Sequence, residues 1–194
     1  MTYIGLSGTS PAKGYGWGAL SSAPAAFESI ATVVGTGSSQ LITLSSIPST
    51  YKHLQIRAIF RSTEAGSGTN FYMYVNGDTA TNYSYHTLRG EGTTASASGN
   101  ATVAQMFVGR APGAGTTAGI MNATIIDIHD YANTSKYKTF RYVSGKDDNT
   151  YGGDLVLRSG SWRSTSAINS ITFNIDNPNF SNLSSIALYG IKGE

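Results

Sequence analysis

From residue 27 onward the chain is a succession of short runs in which apolar side chains recur at every second position, broken by Gly, Ser, Asn and Pro. Successive side chains of a β-strand point to opposite faces, so a period of two marks a strand with one face buried and the other open to water or a partner. The clearest run is 51–61, where Leu54, Ile56, Ala58 and Phe60 alternate with His53, Gln55, Arg57 and Arg61. Phe71, Met73 and Val75 alternate with Tyr72 and Tyr74, and Ile171, Phe173 and Ile175 with Ser170, Thr172 and Asn174. Ile186 and Leu188 stand opposite Ser185 and Ala187. Further runs at 27–34, 40–46, 82–88, 101–109, 119–129, 137–144 and 154–159 bring the expectation to about ten to twelve strands. No window longer than two turns repeats at three-and-four spacing with caps, so little or no helix is expected. The pair Asn76 and Gly77 is a hairpin-turn signal.

Many antiparallel strands with Gly- and Ser-rich connections predict an all-β, antiparallel β-sandwich of the jelly-roll kind, with a closed barrel as the alternative. No fixed repeat period points to a propeller or a β-helix. Residues 1–26 break the pattern, with Gly or Pro every few positions and no steady period. They are expected to form an extended N-terminal arm for docking or subunit contact, with Tyr3, Tyr15 and Trp17 as its anchors, or else a disordered terminus. Residues 27–194 are expected to form the sandwich domain.

Composition narrows the function. Charged residues make up only 12% of the 194 positions and the formal net charge is +2. Such a chain offers no phosphate-neutralising stripe, so no nucleic acid is expected as a partner. With no cysteine, disulfides, thiolate metal sites and cysteine nucleophiles are excluded. No run of about 18 apolar residues occurs, and residues 1–26 lack a basic start followed by an apolar stretch, so no membrane insertion is expected.

Catalytic chemistry finds little to stand on. Asp127 and His129 share a strand face, but a carboxylate–histidine pair lacks the third ligand of a catalytic zinc, and hydrogen bonding at a strand end is the simpler reading. Lys146, Asp147, Asp148 and Asn149 form an acidic turn without the spaced ligands and terminal Glu of a calcium loop. The close glycines of 14–18 (GYGWG) follow no strand and open no helix, and no Gly-x-Ser-x-Gly elbow occurs. No cofactor, metal or enzymatic activity is therefore expected. The richest stretch is 70–92, whose Tyr72, Tyr74, Tyr83, Tyr85 and His86 are candidate contacts for a receptor sugar or another subunit, because tyrosine combines a flat apolar ring with a hydroxyl. The plainer alternative is that these rings only cover a sheet face. Trp162 is expected to be a core or interface anchor.

The segments 27–33 (FESIATV), 47–57 (IPSTYKHLQIR), 76–78 (NGD), 82–86 (NYSYH), 126–133 (IDIHDYAN) and 186–191 (IALYGI) together resemble, in pattern and order, a group of virion proteins of tailed phages of aquatic bacteria and cyanobacteria. The resemblance spans most of 27–192 and leaves the first 26 residues unmatched. It implies a structural, tail-fibre-like or appendage protein of the particle, assembled in the bacterial cytoplasm, and brings no catalytic residues. Its implied partners are other virion proteins, further copies of the chain, with a trimer expected, and host-surface carbohydrate. A head-decoration or cement protein and a lectin-like receptor binder are the alternatives.

Overall fold

The computed structural model describes residues 26–148 and 153–193. In chain order the strands are β1 (Phe27–Val34), β2 (Leu41–Leu44), β3 (His53–Phe60), β4 (Gly68–Val75), β5 (Tyr83–Glu91), β6 (Thr94–Val103), β7 (Met106–Pro112), β8 (Asn122–His129), β9 (Lys138–Lys146), β10 (Asp154–Trp162), β11 (Ile171–Ile175) and β12 (Ser185–Ile191). No helix occurs among the described residues. The strands make two antiparallel sheets, one of eight in the order β1-β12-β3-β8-β9-β10-β5-β6 and one of four in the order β2-β11-β4-β7. Both inner faces meet in a single core, as a β-sandwich requires. The arm residues Tyr3, Tyr15 and Trp17 lie outside the described residues.

The alternation in β3 is realised as the sequence predicts, with Leu54, Ile56, Ala58 and Phe60 buried. Phe60 of the large sheet packs on Phe71 and Phe173 of the small one at ring-centre distances of 4.1 and 5.7 Å, and on Phe180 at 5.7 Å. Arg61 departs from the pattern. The strand ends at Phe60, and the Arg61 guanidinium turns in to donate to the carbonyls of Thr116, Thr117 and Ile120, so the side chain is buried.

Asn76 and Gly77 do make a turn, with φ of 53° and 68°, the left-handed pair that a type I′ turn demands. It is not a hairpin, however, because β4 belongs to the small sheet and β5 to the large one. Residues 78–82 carry the chain across, and the buried Tyr83 hydroxyl donates to the Asp78 carbonyl at 2.9 Å and accepts from Val75 N at 3.0 Å.

β6 lies outside the predicted set. Its sequence, TASASGNATV, has no bulky apolar side chain before Val103 and is exposed along nearly its whole length. It is a strand only because it pairs with β5, and the predicted run 101–109 merges its end with the start of β7.

Several polar groups within the core pair with one another or with backbone carbonyls. Asn122, Thr124 and Ser144 form a closed hydrogen-bonded set. A side chain at Gly109 would run into it, since an added Cβ would stand 2.5 Å from Ser144 Oγ. Lys138, fully buried, donates to the carbonyls of Asn133, Lys136 and Thr165 and so fastens two loops to β9.

Candidate functional site

The five nominated contact residues separate. Tyr83 is wholly buried, which corrects its assignment as a surface contact: its position on β5 points into the core, beside Trp162, with ring centres 6.5 Å apart. Trp162 is itself a core anchor, its indole N–H donating to Asp78 Oδ2 at 2.6 Å. Tyr85, two residues on, faces the same way but beyond the end of the small sheet. His86 takes the opposite face of β5, and its ring lies so close over Gly99 that a Cβ there would be 2.7 Å from it. Tyr72 and Tyr74 stand on the outer face of the small sheet, partly buried. The period of two that identified the strands is what divides Tyr85 from His86.

Because the large sheet has twice the strands of the small one, β10, β5 and β6 overhang it. Their inner face and the edge strand β7 enclose a polar cleft of about 420 Å³. Cross-strand register builds its floor as rows: Asn100 beside Tyr85, then Ser98, Thr87 and Arg158, then Ser96, Arg89 and Val156, then Glu91 beside Asp154. Arg158 closes its inner end. The guanidinium donates to Thr87 Oγ1 at 2.7 Å and to the carbonyls of Phe107 and Val108 at 3.0 and 2.9 Å, and stacks 4.2 Å over the Phe107 ring. It thereby ties the edge of the small sheet to the large one, while burial lowers its pKa.

At the mouth, Tyr72 packs against Phe107 at 5.6 Å and donates to Asp176 Oδ2. Burial, then the Asp176 charge, raises its pKa. Asn100 Nδ2 donates to the Tyr85 hydroxyl at 2.9 Å. Arg89 pairs with both Glu91 and Asp154, at 2.9 and 3.3 Å.

The outer face of the same sheet is the reverse of what a solvated antiparallel sheet presents. Ile125, Val143, Leu157, Leu88 and Ala97 stand directly opposite one another across β8, β9, β10, β5 and β6, forming one unbroken apolar row. A parallel row sets the large Ile59 and Leu155 among the small Ala123, Gly145, Gly90 and Ala95. Leu155, Leu88 and Leu157 are 63%, 57% and 51% exposed. At about 4.8 Å per strand the two rows cover on the order of 400 Å², within the range of the largest apolar patch on an ordinary monomer, a patch that is often functional.

Asp127 and His129 share the outer face of β8, as predicted; Asp127 accepts from Gln55 Nε2 at 2.8 Å. Among the described residues no group of three or more His, Cys, Asp or Glu gathers to hold a metal. The nearby Asp130 is gripped by two ammonium groups, Lys136 on one oxygen and Lys52 at 3.1 Å from the other, and these hold its pKa down at about 2. Its backbone N–H donates to His53 Nδ1 at 3.0 Å, which requires a neutral imidazole, and burial lowers the His53 pKa.

Both groups bind protons less readily folded than unfolded, so both stabilise the fold above their unfolded pKa values and cease to do so as pH falls through the folded ones. Thermal melts are expected to drop in two stages on acidification, from about pH 6.5 through His53 and between about pH 4 and 2 through Asp130. Asp130→Asn should shrink the lower stage and leave the upper one in place.

No family model, curated protein or solved structure matches the chain.

Proposed function

We propose that the chain is a non-enzymatic structural protein of a tailed-phage particle, a tail-fibre or baseplate-associated appendage present in several copies. The observation that carries this reading is the apolar outer face of the eight-stranded sheet. A face of about 400 Å² is roughly half of what each partner contributes to a standard interface, and the polar rows flanking it supply the remainder. Its occupant is a second copy of the chain. Large and small apolar residues intersperse on it, and Arg57, Arg141 and Asp127 bring both signs of charge onto the same sheet face, as a surface that meets its own copy needs.

The fold is read as a jelly roll. From β2 to β11 the chain moves between the sheets in the order small, large, small, large, small, large, small. The small sheet runs β2-β11-β4-β7, and the large one runs β3, then the β8-β9-β10 meander, then β5-β6. Substituting that meander for one strand gives the two four-stranded sheets of a jelly roll, with β1 and β12 added at one edge. Jelly rolls serve as capsid and lectin domains, and the resemblance of 27–192 to virion proteins points the same way.

An image reconstruction of the particle that carries the protein tests the assignment. Density for the sandwich on the tail or baseplate is the expected result. Density on the head would replace the appendage with the decoration role, and absence from the particle would overturn both.

A further inference from the structure

We infer that the cleft between the overhanging strands β10, β5, β6 and the edge strand β7 is a binding site for an acidic saccharide. The inference rests on the particle reading only for the source of the sugar, a host-surface glycan; the binding itself stands on the cleft.

Four features of the cleft point to this ligand. Asp154 is nine-tenths buried in the cleft floor; its Oδ2 meets Arg89, while Oδ1 has no hydrogen-bond partner. An unmet carboxylate oxygen costs free energy until a donor reaches it, and a carboxylate only accepts, so the ligand must bring O–H or N–H groups. Arg110 also lines the cleft, and among the described residues it takes part in no ion pair or side-chain hydrogen bond. A planar, permanently charged fork of this kind suits a carboxylate. Between them lie Ser96, Ser98 and Asn100, short hydroxyl and amide groups that both donate and accept. The ring of Tyr85 also lines the space, offering a flat apolar surface to the C–H face of a pyranose.

The volume of about 420 Å³ falls within the range of small-ligand sites. A polyphosphate or nucleic-acid backbone fits poorly, because Asp154 and Glu91 put negative charge into the same floor. A monosaccharide bearing one carboxylate meets both requirements at once: hydroxyls for Asp154 and the Ser96–Ser98–Asn100 row, and an anion for Arg110. A single such site binds weakly, and several copies held in one assembly multiply the attachment.

Saturation-transfer NMR on the full chain tests this, with D-galacturonic acid, D-glucuronic acid and N-acetylneuraminic acid as acidic probes and D-galactose and D-glucose as neutral ones. At least one acidic sugar should bind near millimolar Kd, about 4 kcal/mol, with its neutral counterpart at least ten-fold weaker. Arg110→Ala should erase that preference, and Asp154→Asn should weaken the neutral sugars more than the acidic ones, because it removes an acceptor for their hydroxyls and, for the acidic sugars alone, also a repelling charge. Ser96→Trp, on an exposed strand where the fold tolerates it, should fill the cleft and abolish binding with the melting temperature unchanged. Binding that survives Ser96→Trp, equal binding of acidic and neutral sugars, or no binding by any of the five would overturn the inference. None of these results would bear on the place of the protein in the particle, which the image reconstruction reads separately.

Discussion

Phe60→Ala is expected to cost about 3–5 kcal/mol of folding stability, the range for truncating a fully buried aromatic ring. Phe60 has no exposed surface. It is the point at which the two sheets touch, with Phe71 and Phe173 of the small sheet and Phe180 of the following loop around it. Those neighbours belong to three separate segments held by their own backbone pairing, so they cannot collapse into the space left behind. The loss is therefore the transfer term plus a persistent cavity. Set against a total stability of about 5–15 kcal/mol, it should lower the melting temperature by on the order of 10 °C. Leu183→Ala, at a side chain 60% exposed, should change stability by no more than about 0.5 kcal/mol. Equal effects of the two would mean that the sheets do not close over Phe60.

How much of this is written in the chain varies from element to element. β3, β4 and β12 announce themselves, because each has one buried face and one more open face and the period of two survives intact; β11 alternates in sequence, although its Thr172 is buried as well. β6 does not. Its small polar residues carry no pattern, and the pairing partner that makes it a strand is a property of the fold. The tyrosines were visible as a group but not as to direction: Tyr83 needed the turn at Asn76 and Gly77 to place it in the core, and Tyr85 needed the unequal width of the two sheets to leave it lining a cleft. Arg158, Asp154 and Arg110 come from separate strands that only register brings together, so no local motif precedes them.

The apolar outer face did leave a trace. The continuous runs Ile125-Ile126 and Leu155-Val156-Leu157 interrupt the alternation of β8 and β10, and in an antiparallel sheet an unbroken apolar run signals that both faces are covered. One face of these strands is covered by the core. The other is exposed, and it is the face proposed to meet a second copy.

Leu157→Glu is expected to abolish self-association while leaving the fold intact. Leu157 is in the middle of the apolar row, between Val143 and Leu88. In the single chain the new carboxylate would stay in water, since the side chain it replaces is half exposed, so stability should shift by little. At a closed interface the same carboxylate would lose most of its hydration, which the diagonal neighbour Arg141 offsets only in part, a net penalty of about 3 kcal/mol. That corresponds to at least a hundred-fold weaker assembly, by the rule that about 1.4 kcal/mol is ten-fold. Leu183→Glu introduces the same charge at an equally exposed residue away from the apolar rows and should leave assembly unchanged.

Sedimentation velocity over micromolar concentrations reads this directly on the full chain and both variants. An oligomer for the unaltered chain and for Leu183→Glu, with a folded monomer for Leu157→Glu, is the result that follows from an assembly face on the eight-stranded sheet. An unaltered chain that stays monomeric throughout, or a Leu157→Glu chain that assembles as before, would contradict it.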